Sequence, residues 1–139
     1  MPAGWRYRAA TTDWPVRTYP TAGATYTDSF GPLGAFFPAF DVSTQQLPDD
    51  QAPSEFLAEL DAGNASNGYM VVEDGQIVVD GVTGRLQRQT LGTESIWEVI
   101  LFDEGRVYAI YWVGLESQRE VDEPVFRHMM DTFAFPIGG

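Results

Sequence analysis

Residues 83–113 read TGRLQRQTLGTESIWEVILFDEGRVYAIYWV, and this stretch decides the fold. Gly92-Thr93 places glycine first, as a type II′ turn requires, and Glu104-Gly105 suits a second two-residue loop. Tight loops fix register, because a one-residue slip would exchange the two faces of every strand. Closing the first loop on Leu91 and Glu94 sets Arg88 opposite Trp97 and Leu86 opposite Val99. Closing the second on Asp103 and Arg106 sets Trp97 opposite Trp112 and Val99 opposite Ile110. The stretch is therefore a three-stranded antiparallel meander. One face carries Leu86, Trp97, Val99, Leu101, Tyr108, Ile110 and Trp112. The other carries Ile96, Ile100, Phe102, Val107, Ala109, Tyr111 and Val113, together with Gln87, Gln89 and Glu98.

Both faces are largely apolar, so both must be covered, at least in part by helices. The segment after the meander offers one cover: Val121, Val125, Met129 and Phe133 recur every four residues, with Phe126 and Met130 widening the stripe. Asp122 is placed to cap this helix and Pro124 to occupy its first turn. Upstream, Asp49-Asp50 and Pro53 precede Phe56, Leu57 and Leu60, predicting a short amphipathic helix that ends near Gly63. Between helix and meander, Tyr69 to Glu73 and Gln76 to Val79 read as strands joined by an Asp74-Gly75 turn. The first third is punctuated by Pro15, Pro20, Gly31-Pro32, Gly34, Pro38 and Pro48, which favours short extended pieces, with Tyr26–Phe30 and Phe36–Thr44 as strands. The fold class is α+β: an antiparallel sheet of about five to seven strands sandwiched between helices. One domain is expected over 1–139, with a basic aromatic segment at 1–20 and the core at 21–139.

The chain has 139 residues, no Lys or Cys, one His, and a formal net charge of -12. A chain without Cys has no disulfide scaffold, thiolate zinc site, iron–sulfur cluster or Cys nucleophile. The acidic field repels phosphates, which argues against nucleic acid and anionic membrane surfaces as partners. Residues 1–20 run the other way, with Arg6, Arg8 and Arg17 against Asp13 and the rings Trp5, Tyr7, Trp14 and Tyr19 among them. The alternation Trp5-Arg6-Tyr7-Arg8 favours a half-buried strand with rings inward over a membrane-seeking arm. No stretch has the length of a transmembrane helix, and Met1-Pro2-Ala3-Gly4 has no apolar core of a secretory signal.

Gly81-Val82-Thr83-Gly84-Arg85-Leu86, the aromatic strand after it, Asp103-Glu104-Gly105-Arg106-Val107-Tyr108 and the terminal run Pro124-Val125-Phe126 through Met130-Asp131-Thr132-Phe133-Ala134-Phe135 together resemble the PsbP-like family. A strand, Leu47-Pro48 and a short helix bearing Phe56-Leu57 fit the same plan, so the resemblance spans roughly residues 25–135. It implies an antiparallel sheet between helices, as in photosystem II extrinsic subunits and in relatives of Ran-binding nuclear transport factors. It also implies a bacterial protein outside the cytoplasm, often a lipoprotein or secreted, with no catalytic centre. The sequence departs from that pattern in having no lipobox Cys and a single His.

His128 is the sole imidazole, and no Gly-x-Ser-x-Gly elbow accompanies it, so a boundary position on the last helix is favoured over catalysis. The acidic pairs Asp49-Asp50, Asp103-Glu104 and Asp122-Glu123 suit caps and turns better than two carboxyls facing across a cleft. Asp61-x-x-Asn64-x-x-Asn67-Gly68 misses calcium-loop spacing and reads as a loop after the helix. Asn64-Ala65-Ser66 formally matches a glycosylation acceptor. Gly81-x-x-Gly84 is too short for a phosphate loop and reads as a bend where the strand begins. The row Arg88, Trp97, Trp112 is the candidate for ligand or partner contact, since Arg and Trp dominate interface hot spots, although large rings in central strands usually belong to the core. No metal or cofactor is expected. The reading is a non-catalytic binding or assembly module of PsbP-like type whose partner, a protein or a small apolar ligand, the sequence does not name. Its alternative is a carrier of a small apolar or aromatic ligand between sheet and helix, and the third reading is a hydrolase using His128.

Overall fold

The computed structural model describes the backbone of residues 5–8, 27–32 and 38–135, and the side chains of 38–135. Seven strands form one antiparallel sheet: β1 (Trp5–Arg8), β2 (Thr27–Pro32), β3 (Ala39–Gln46), β4 (Met70–Val79), β5 (Val82–Leu91), β6 (Glu94–Asp103) and β7 (Arg106–Leu115). Their spatial order is β1-β2-β3-β7-β6-β5-β4, so β3 joins the meander along the far side of β7. Two helices, α1 (Pro53–Ser66) and α2 (Arg119–Thr132), complete the α+β sandwich, and a single 3-10 turn at Glu116–Gln118 leads into α2. The orientation of the rings and arginines in residues 1–20 lies outside the described residues.

The meander has the register set by its turns: Arg88 opposite Trp97, Leu86 opposite Val99, Trp97 opposite Trp112 and Val99 opposite Ile110. Gly92, Glu104 and Gly105 all have positive φ, as those turns need. The hairpin before it differs from the sequence reading. Asp74-Gly75 is not a turn; β4 runs straight through it, and the chain reverses at Asp80-Gly81, where both residues have positive φ and Val79 pairs with Val82. The sequence holds two Asp-Gly dipeptides six residues apart, and only the second lies between strands that can both pair over ten residues. Gly84, in the body of β5, is fixed by close approach. A Cβ there would run into the Ile100 carbonyl and the Leu101 side chain.

The two faces each have their helix. On one, Phe126 and Met130 of α2 bury themselves with Phe40, Val79, Trp97, Val99, Leu101, Tyr108, Ile110 and Trp112. On the other, Phe56 and Leu60 of α1 pack with Ile100, Val107 and Ala109. Helix α1 starts at Pro53, with the Ala52 N–H donating to the Glu55 carboxylate. It continues three residues past Gly63, so Asp61 and Asn64 lie on the helix and not in a loop.

Helix α2 is phased differently from the stripe that the sequence suggests. Val121 and Val125 are exposed, and the buried row is Asp122, Phe126 and Met130, one residue on, flanked by half-buried Met129 and Phe133. Because the helix begins at Arg119, Asp122 is no cap and Pro124 falls inside the helix. Asp122 instead sits beneath it, its carboxylate accepting from the Trp112 indole and lying against Gly114, where a Cβ would collide with it.

Candidate functional site

The row that contains the candidate residues runs across five strands: Phe40, Trp112, Trp97, Arg88 and Glu73 are successive cross-strand neighbours. Trp97 and Trp112 are each 1% exposed. Phe126 lies parallel to Trp97 at 5.4 Å between centroids and edge-on to Trp112 at 6.5 Å, while Phe40 is tilted against Trp112 at 6.4 Å. Large aromatic surfaces in this arrangement contribute beyond the area they bury. Ligand contact by either indole requires α2 to leave the sheet. Arg88, at the rim of the same row, is held by carboxylates on two sides: its Nε lies 3.2 Å from Glu73 on β4 and its Nη1 donates to Glu116 at 3.0 Å. Glu116 also pairs with Arg119, which ties the β4 edge to the start of α2.

The opposite face holds a second cluster of charged groups, one that the sequence reading did not single out. Glu98 is 1% exposed in the middle of β6. It accepts from Arg85 Nη2 at 3.0 Å and from Asn64 Nδ2 at 3.1 Å, and Arg85 in turn grips Asp61 with both terminal nitrogens, at 2.8 and 2.9 Å. Burial pushes the Glu98 carboxyl above its ordinary pKa, with Arg85 and Asn64 opposing that shift. Burial likewise lowers the Arg85 pKa, but Asp61 and Glu98 together outweigh it, and the net shift is upward. The signal was available in the chain: Phe56, Leu60 and Asn64 are four apart, so the apolar stripe of α1 ends in an amide aimed at the sheet. The network fastens α1 to β5 and β6. It also places Asn64, the formal glycosylation acceptor, half-buried against Glu98.

His128 lies on the exposed side of α2. Among the described residues no group of three His, Asp or Glu side chains is placed to hold a metal ion. No helix among them is long and apolar enough to cross a membrane.

Of the large apolar side chains left in solvent, four lie on β4, while Leu115 is at the end of β7 and Val121 and Val125 are on α2. Met70, Val71, Val72 and Val78, all on β4, are exposed, Met70 at 67% and Val78 at 64%. Among the described residues, strand β4 is the last strand of the sheet and pairs with β5 alone. Its pairing is interrupted once, between Val71 and Glu73, and is regular from Glu73 to Val79.

Among the described residues, a seven-stranded antiparallel sheet clasped between two helices defines a class of α+β sandwich domains. Within that class the chain has the PsbP-like fold. It superposes on cyanobacterial PsbP (CyanoP) from Synechocystis sp. PCC 6803 with a TM-score of 0.64 and 12% identity, over 94% of this chain and 80% of that one. It also superposes on PA94 from Pseudomonas aeruginosa, a protein of unknown function described as a candidate regulator, with a TM-score of 0.60 and 13% identity, over 98% of this chain and 85% of that one. No protein-family profile and no curated protein matches the sequence.

Proposed function

We propose that this chain is a non-catalytic binding module that engages a protein partner, in a bacterium and outside the cytoplasm. The observation that carries the reading is the contiguous exposed run Met70-Val71-Val72 on β4, with exposed Val78 further along the same strand, because contiguous apolar surface marks an interaction site more often than scattered apolar residues do. Two further features support it. The buried carboxylates are tied down: Glu98 by Arg85 and Asn64, Asp122 by Trp112. The fold is shared with a cyanobacterial PsbP protein and with a candidate regulator from Pseudomonas aeruginosa, which supports the reading of a bacterial protein outside the cytoplasm.

A photo-crosslinking residue at Val78, compared with one at His128, tests the reading in cells. A discrete adduct with one protein from position 78 and none from 128 is the expected result. Purified protein is expected to leave ester, phosphoester and glycoside substrates unchanged, with or without divalent metal. A turnover lost in His128→Gln while the fold survives overturns the reading in favour of an enzyme. Fractionation of the source cells tests the compartment separately.

A further inference from the structure

We infer that the outer edge of β4 is a strand-addition site for an extended cationic segment of a partner protein, an inference that rests on the binding-module reading and specifies its mode. The main-chain geometry supports it first. The two-residue turn at Asp80-Gly81 makes Val79 and Val82 a hydrogen-bonded pair, so the groups of Val79, Ile77, Gly75 and Glu73 point to β5. Those of Asp74, Gln76 and Val78 point the opposite way, off the edge of the sheet, where no strand follows among the described residues. An extended peptide laid there completes three residues of ladder, with side-chain specificity supplied by alternate positions.

Natural sheets blunt such edges with short strands, prolines, charged side chains or bulges, and of these β4 carries the charges of Glu73 and Asp74 and one bulge. Strand β4 is ten residues long and has no proline, and its exposed Met70, Val71, Val72 and Val78 supply apolar contact area instead. The bulge between Val71 and Glu73 limits the regular template to the segment from Glu73 onward.

Charge selects the occupant. Exposed Glu73 and Asp74 stand in the middle of the edge strand, and the arginine that reaches this edge, Arg88, is shared between Glu73 and Glu116. A second copy of the chain would bring another net charge of -12 to an acidic edge, whereas a segment alternating Arg or Lys with β-branched residues brings opposite charge and matching apolar contacts.

The test uses an acetylated and amidated decapeptide of alternating Arg and Val, and a Glu-Val counterpart, titrated into the full chain and followed by amide NMR and exchange. The Arg-Val peptide is expected to protect the amides of Asp74, Gln76 and Val78, and the Glu-Val peptide to bind at least about tenfold more weakly. Gln76→Pro removes one outward N–H and no bond to β5, so it should keep the fold and weaken the Arg-Val peptide by about tenfold. Val78→Lys, which keeps every main-chain group, should weaken it through charge. Protection elsewhere, equal binding of the two peptides, equal binding to Gln76→Pro, or a homodimer dispersed by Gln76→Pro each overturns the strand-addition inference. The binding-module reading then stands or falls on the crosslinking and turnover results alone.

Discussion

The two faces of the sheet use different physics to hold their helices. Under α2 the contact is largely dry: two indoles, a phenylalanine ring stacked on Trp97 and edge-on to Trp112, and a methionine and aliphatic chains filling most of the rest, with Asp122 the buried carboxylate among them. Under α1 a smaller apolar patch of Phe56, Leu60, Ile100, Val107 and Ala109 shares the face with buried Ser43, Gln45, Gln87, Gln89 and Glu98. Burial of apolar area is non-directional, so the α2 face gains stability wherever volume is filled. The α1 face depends on direction: Glu98, Arg85, Asp61 and Asn64 meet in one alignment only. The difference teaches that strength and positional specificity have been assigned to opposite sides of one sheet.

The largest effect that could break this contrast is at Phe126, which is fully buried between Trp97 and Trp112. Phe126→Ala should lower unfolding free energy by about 3–5 kcal/mol in denaturant titration. A loss below about 1 kcal/mol would show that the dry face is not the stronger one. Next comes Arg85→Ala, which leaves Glu98 buried without its cation and should cost about 3 kcal/mol. Joint replacement by Met at 85 and Leu at 98 should recover about 2 kcal/mol or more of that loss, since removing both charges also removes their desolvation cost. Failure to recover would mean that the ion pair itself, not the orphaned charge, carries the energy.

A subtler effect, common to both faces, is read by pH. Burial raises the carboxyls of Glu98 and Asp122 above 4.5 and 3.8, their ordinary values, so the folded chain binds these protons more readily than the unfolded one. Their contribution to stability is complete below the unfolded values and is lost as pH rises through the raised folded ones. Stability from these two groups should therefore grow as pH falls from 7 toward 4.5, and Glu98→Gln with Asp122→Asn should flatten that rise in thermal melts taken across the range. Smallest of all is Val121→Ala, which on the exposed side of α2 should stay within about 0.5 kcal/mol. A larger loss would restore the helix phase that the spacing of Val121 and Val125 suggests.

Tight turns made much of this architecture legible. Gly92-Thr93 and Glu104-Gly105 determine which side chains of β5, β6 and β7 share a face, and two apolar faces require two covers. Where the reading failed, local signals were degenerate. Asp74-Gly75 and Asp80-Gly81 carry the same turn chemistry, and only the length of pairing available to β4 and β5 selects between them. In α2, Val121 and Asp122 offered competing phases, and hydropathy favours valine. The fold chose the aspartate because Trp112 gives its carboxylate a donor and Gly114 leaves room for it, neither of which is visible from residue 122 alone. The row of Arg88, Trp97 and Trp112 was placed correctly in register. Whether such a row faces solvent or a helix depends on α2, and hence on that same phase. The Glu98 network escaped notice because a carboxylate in a central strand gains meaning only once its partners from α1 and β5 are known.

The position of β3 has a consequence in time. Phe40 pairs with Trp112, and each residue of β3 finds its partner in β7 across about half of the chain. Strands β4 to β7 close through two-residue turns, so they can zip together quickly, while β3 must wait for a long loop to close. During synthesis the wait is literal: at about 5–20 residues per second, the 72 residues between Phe40 and Trp112 take roughly 4–14 s to appear. For that interval the first three strands have left the synthesis site without the strand that completes them. Folding of the nascent chain should accordingly begin at its C-terminal half, after β7 emerges, and run backward along the sequence to β3 and the strands beyond it.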